Sequence, residues 1–79
     1  VYRIITMNKK ELLKIFGKNV KIERIKKDLT QEQLAEKMDV SQNYIACIET
    51  GKQNMSLGKI LELAQNLNTD IHNLLSFNK

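Results

Sequence analysis

With one cysteine and one histidine in 79 residues, the chain can form no internal disulfide and lacks the ligands for a zinc site. No structural metal or cofactor is expected. No apolar run approaches the roughly 18 residues that cross a bilayer, and no secretory leader is legible, so we expect a cytoplasmic protein with no membrane partner. His72 stands alone, and no carboxylate cluster is spaced for acid–base chemistry, which leaves an enzyme, for instance a small ribonuclease, the weakest reading. Proline and tryptophan are absent, aromatic residues make up 5% of the chain, and there is no internal repeat or low-complexity tract. A chain this short buries only around 60% of its unfolded surface, so it must be compact or oligomeric to be stable. One all-helical domain with local contacts meets that demand and leaves little room for a small-molecule site.

What the chain does have is a positive balance, +4 with a pI near 9.3. That sign suits a partner rich in phosphate, though it is also common on plain soluble proteins. Stronger evidence lies between Leu29 and Lys52, LTQEQLAEKMDVSQNYIACIETGK. Thr30 is a good N-cap with Gln33 at the capping-box position, so a helix should start there. Leu34, Ala35 and Met38 form its apolar stripe, with Gln31, Glu32, Gln33, Glu36 and Lys37 outside. Met38-Asp39-Val40-Ser41 breaks the pattern. Ser41 caps a second helix that runs to about Thr50, where Gly51 can take the left-handed conformation that ends it. Two helices so close leave a three-residue turn between them.

The second helix has two unlike faces. Ile45 and Ile48, with Val40 just before them, point one way; Asn43, Ala46, Cys47 and Thr50 point the other, with Gln42 and Tyr44 at the flanks. The outward face is short, polar and nearly uncharged. Exposed helices are usually laced with Lys and Glu, whereas amide side chains can donate to and accept from adenine together, so this face fits base edges.

These residues resemble the Cro/CI-type helix-turn-helix family of phage and bacterial repressors. The matching pattern is Thr-Gln-x-x-Leu-Ala, then Val-Ser, then Ile-x-x-Ile-Glu-x-Gly-Lys, and it continues through Ser56-Leu57, Ile60-Leu61, Leu63-Ala64, Leu67, Ile71 and Leu74, about residues 17 to 75. The resemblance implies an all-α fold: a compact five-helix, lambda-repressor-like DNA-binding domain. It also implies a pair between Arg24 and the motif glutamate, Glu49. Two departures stand out: Asp39 sits where the family usually has Gly, and Met55 where many relatives have Pro. Asn-Tyr-Ile in the recognition helix and Gln-Asn-Met-Ser-Leu after it look similar to controller proteins of restriction–modification systems; phage-type repressors and antitoxins are equally compact.

A helix-turn-helix lays its second helix in the major groove while its first crosses the backbone. Gln42 and Asn43 are therefore the candidates for reading bases, with Ser41 as cap or phosphate contact. Gln31, at the start of the first helix, is a candidate phosphate contact together with the free N–H groups there; helix-start preference alone would also explain it. Tyr44 could reach a phosphate or thymine methyls, or simply pack over the helix edge. Cys47 is small enough to let the helix sit deep and touch a methyl or base edge; a redox role ranks below that. Lys52 and Asn54, in the loop after the helix, are phosphate candidates against ordinary loop polarity, and Lys26 and Lys27 are further ones, whereas Lys18 and Lys21 read as a solvated face.

Residues 1–8 read as an N-terminal arm, an expression remnant or an upstream extension, with 9–79 as the domain. Asn8 and Glu11 form a second capping box, Gly17 leaves residues 9 to 27 as one helix or two with a bend, and Val20 and Ile25 are expected to face inward. Ser56 should cap a helix with Leu57, Ile60, Leu61, Ala64 and Leu67 at core spacing. Asn68-Thr69-Asp70 turns into a last helix bearing Ile71, Leu74 and Leu75, with Phe77 beyond; apolar residues left exposed there would mark a partner surface. The leading expectation is a sequence-specific regulator binding double-stranded DNA as a homodimer on a palindrome. The alternative is a protein-interaction module or antitoxin with the same fold.

Overall fold

The computed structural model describes residues 6–77. Among the described residues five helices follow one another from Lys9 on: α1 Lys9–Lys26, α2 Gln31–Met38, α3 Gln42–Glu49, α4 Leu57–Asn66 and α5 Ile71–Leu74. Each begins at a side-chain cap: Asn8, Thr30, Ser41, Ser56 and Asp70 all accept from a backbone N–H of the first turn. The capping boxes at Asn8–Glu11 and Thr30–Gln33 are both closed.

Four helix ends use one device. After α1 to α4 the chain enters the left-handed region at Asp28, Asp39, Gly51 and Asn68. In each case two backbone bonds reach back into the helix, for example Gly51 N–H to Ile48 C=O at 3.2 Å and Lys52 N–H to Cys47 C=O at 2.8 Å. This is the Schellman arrangement, which satisfies carbonyls the helix leaves unpaired. Asp39 therefore does what the family's glycine would do, at φ 57°, a conformation that Asp tolerates better than most residues. The turn between α2 and α3 is kept.

Inside lie Phe16, Val20, Leu34, Ile45, Ile48, Leu63, Leu67 and Leu74, with Ala35, Met38, Ile60 and Ala64 completing the cluster. Gly17 does not bend α1, which is one helix, and it is buried against α3. The inward stripe of α1 passes through Phe16, Val20, Glu23 and Arg24, so Ile25, expected inward, falls on the far side and is 54% exposed. In α4 the buried stripe is Ile60, Leu63, Ala64 and Leu67; Leu57 and Leu61, expected in the core, are 75% and 49% exposed. The apolar surface left open lies on α4 more than at the C-terminus, because Leu74 is buried and Ile71, Leu75 and Phe77 pack half-buried against the core.

Three polar side chains, Asn19, Glu23 and Arg24, sit on the inner stripe of α1. Asn19 Nδ2 donates to the carbonyls of Leu74 and Ser76 at 3.1 and 2.8 Å, pinning the C-terminal segment to α1. Glu23 accepts from the Thr69 hydroxyl at 2.8 Å and from Lys26 Nζ at 3.2 Å. Lys26, a phosphate candidate by sequence, is thus engaged with Glu23. A polar residue on an apolar helical stripe was the signal available for Asn19 and Glu23. No helix among the described residues is long and apolar enough to cross a membrane.

Candidate nucleic-acid interface

The start of α3 is the most open part of the two-helix unit. Ser41, Gln42 and Asn43 are exposed, with the Ser41 hydroxyl accepting from Tyr44 N–H at 3.1 Å. Neither amide side chain has a hydrogen-bond partner among the described residues, so both are free to meet a ligand. Ala46 and Cys47 continue this face half-buried, and Thr50 closes it by donating to the Ala46 carbonyl at 2.9 Å. On the opposite side Ile45 and Ile48 are fully inside. Tyr44 packs against the core cluster and is half-buried, which favours the packing role over a reaching one.

What holds α3 in place is a four-member polar cluster. Arg24 Nε and Nη2 donate to the two carboxylate oxygens of Glu49 at 2.6 and 3.0 Å, and Nη1 donates to the Leu29 carbonyl at 2.7 Å. Gln31 Nε2 adds a bond of 3.0 Å to Glu49 Oε1. One carboxylate at the end of α3 is therefore tied to α1 and to the first residue of α2, and the guanidinium that binds it also holds the turn before α2. The fork geometry of the guanidinium makes such a bidentate pair directional as well as strong. Both side chains are nearly removed from solvent, 10% and 2% exposed.

Gln31 is accordingly half-buried and engaged, rather than standing free at the helix end. Gln31 is the first residue of α2, and its amide keeps one N–H beyond the bond to Glu49. Lys52 and Asn54 are exposed in the loop after Gly51, and the Schellman bond from Lys52 N–H to Cys47 C=O fixes where that loop leaves α3. Lys27 is exposed next to Asp28, at the turn preceding α2. Thus α2's N-terminus and the 51–54 loop carry the phosphate candidates, while Gln42 and Asn43 project from the helix start.

A family model described as helix-turn-helix matches residues 20–74. The chain belongs to the helix-turn-helix family. As a member it is a DNA-binding transcription regulator with the lambda-repressor-like fold. Its similarities to individual proteins are consistent. The control protein C.SmaI of Serratia marcescens is 35% identical over 66 residues, 84% of this chain and 79% of that protein. The control protein C.BamHI of Bacillus amyloliquefaciens is 36% identical over 64 residues, 80% of this chain and 79% of that one. Among solved structures, the restriction–modification controller protein C.AhdI from Aeromonas hydrophila superposes with a TM-score of 0.73 at 35% identity, spanning 78% of this chain and 94% of that chain. In this helix-turn-helix protein, then, the open polar face of α3 coincides with the element that the motif places in the major groove.

Proposed function

We propose that this protein controls transcription as a homodimer bound to a palindromic operator, with each α3 reading one half-site and the half-sites about one helical turn apart. The observation that carries the reading is the unpartnered amide pair, Gln42 and Asn43, at the exposed start of a helix whose far end is clamped by Arg24–Glu49. Each amide can form two coplanar bonds with adenine, worth about 1–3 kcal/mol of discrimination per pair. Gln31, with the N–H groups at the start of α2, takes one phosphate; Lys52, Asn54 and the cap Ser41 take others, and Cys47 abuts a base edge or methyl. The likeness to control proteins makes a restriction–modification operon the regulated unit we favour.

Dimerisation is assigned to α4. Leu57 and Leu61 are one turn apart and 75% and 49% exposed, so covering them with a second copy gains part of the roughly 1.5–3 kcal/mol that full burial of a Leu side chain is worth. Leu57→Glu with Leu61→Glu is expected to give a folded monomer by sedimentation that no longer binds a palindrome but keeps weak half-site affinity. A dimer that survives both charges sinks the assignment.

Selection of sites from random duplex DNA, sequenced after rounds at two salt concentrations, tests the whole reading. A palindrome should emerge. Asn43→Ala should then relax preference at one base step of each half-site, while Lys52→Ala should weaken every sequence alike and reduce the salt slope by about 1.8, one contact of about 0.9 from each protomer. No enrichment over background would overturn DNA reading in favour of a protein-interaction module.

A further inference from the structure

The first turns of α1 precede the segment that matches the family model, and they are rich in lysine: Lys9, Lys10, Lys14 and Lys18 against the single acid Glu11. Glu11 is already used, its carboxylate accepting from Asn8 N–H at 3.2 Å in the capping box. None of the four lysines has an ion-pair partner among the described residues, and all are exposed. This is unpaired charge on a rigid helix.

The position of that helix gives the charge a direction. Gly17 lies against the carbonyls that end α3, and one turn earlier Lys14 lies against Gly51: a Cβ added to Gly51 would stand 2.9 Å from Lys14 Cγ and 3.0 Å from Lys14 Cα. Lys14 is therefore packed beside the residue that opens the 51–54 loop, next in sequence to Lys52. At 100° per residue, Lys10 falls on the same side of α1 as Lys14 and Gly17, one turn further out. The polar face of α3 and this side of α1 meet at Gly51.

We propose that Lys10 and Lys14 form a phosphate-binding ridge that extends the 51–54 loop along α1, gripping the DNA backbone beyond the stretch that α3 reads. The inference rests on the DNA-binding reading above. It adds two cations beside the 51–54 loop, apart from the contacts assigned to the N-terminus of α2. Such contacts position the protein and carry no sequence information. They make binding more salt-dependent, because each neutralised phosphate releases counterions.

The test compares Lys10→Gln with Lys14→Gln, singly and together, against Lys37→Gln. Lys37 costs the same charge but sits in the last turn of α2, the end remote from the helix N-terminus that meets phosphate. The probes are the duplex selected with the wild-type protein and one duplex of unrelated sequence. All variants should melt like the wild type, since the altered side chains are exposed. The double variant is expected to lower the slope of log affinity against log salt by about 3.6, four contacts per bound dimer at about 0.9 each, equally on both probes, and to lose protection of phosphates flanking each half-site. Lys14→Arg should retain the slope. If Lys37→Gln has the same effect as the ridge variants, only net charge is acting and the ridge is refuted. If selection with the wild-type protein enriches no duplex over background, the DNA reading itself fails, and that outcome is told apart from failure of the ridge, in which the wild type binds its selected duplex and the ridge variants keep its salt slope.

Discussion

Gly17→Ala is expected to cost this domain about 3–5 kcal/mol, the size of an overpacked core with a displaced helix. In the middle of a helix the same change would ordinarily gain about 1 kcal/mol through helix propensity. Here the added methyl has nowhere to go. It would fall on the carbonyl oxygen of Ile48 and lie within 2.7 Å of that of Glu49, and both are backbone atoms that no rotamer change can withdraw. Relief requires α3 to move away from α1, which opens the core at Ile45 and Ile48 and stretches the Arg24–Glu49 pair. Domains of this class have about 5–15 kcal/mol of stability in total, so much of it is at stake. Gly58→Ala serves as the comparison, because a Cβ there meets only the Ser56 hydroxyl at 4.0 Å. Urea unfolding of the two variants should show opposite signs, loss at Gly17 and a gain of up to about 1 kcal/mol at Gly58. A Gly17→Ala protein as stable as the parent would mean that α1 and α3 do not pack as closely as described.

Gly17 also marks where reading the chain stops being enough. The caps, the turn and the two faces of α3 were legible because each depends on residues three or four apart: Thr30 with Gln33, Ser41 with Tyr44, Ile45 with Ile48. The closeness of α1 to α3 joins residues some thirty positions apart, and a glycine in a helix carries no sign of what it touches. The same limit explains Leu57, Leu61 and Ile25. The apolar residues of α4 cover more than one face, so both the stripe through Leu57 and Leu61 and the stripe through Leu63 and Ala64 fit helical spacing. Only the position of α5 and α2 against α4 selects the second. In α1 the buried ion pair takes Arg24 inward, and helical rotation then carries Ile25 out. Gln31 shows a further kind of limit: helix-start preference and the family resemblance both fitted it, but its bond to Glu49 required knowing that the end of α3 returns to the start of α2.

That bond makes the cluster around Glu49 the second place where a large effect is expected. Glu49→Ala leaves the Arg24 guanidinium almost buried, holding only the Leu29 carbonyl. Arg24→Ala leaves the carboxylate with Gln31 as its one side-chain donor. Either change should destabilise by about 3–5 kcal/mol, since an uncompensated charge stays out of water. Replacing both, Arg24→Met with Glu49→Leu, removes the two charges together and should restore stability to within about 1 kcal/mol of the parent, as apolar residues of similar volume often do for buried pairs. Stability and DNA binding should then part company. In the double variant Gln31 has lost its acceptor on Glu49, so its amide is no longer fixed, and the phosphate contact assigned to it must be ordered on binding. The doubly substituted protein is expected to unfold like the parent in urea and to bind its selected duplex several-fold more weakly, with unchanged preference among bases because Gln42 and Asn43 are untouched. Parental affinity in that variant would show that Gln31 needs no anchor, and the carboxylate would then be a strut for α3 alone.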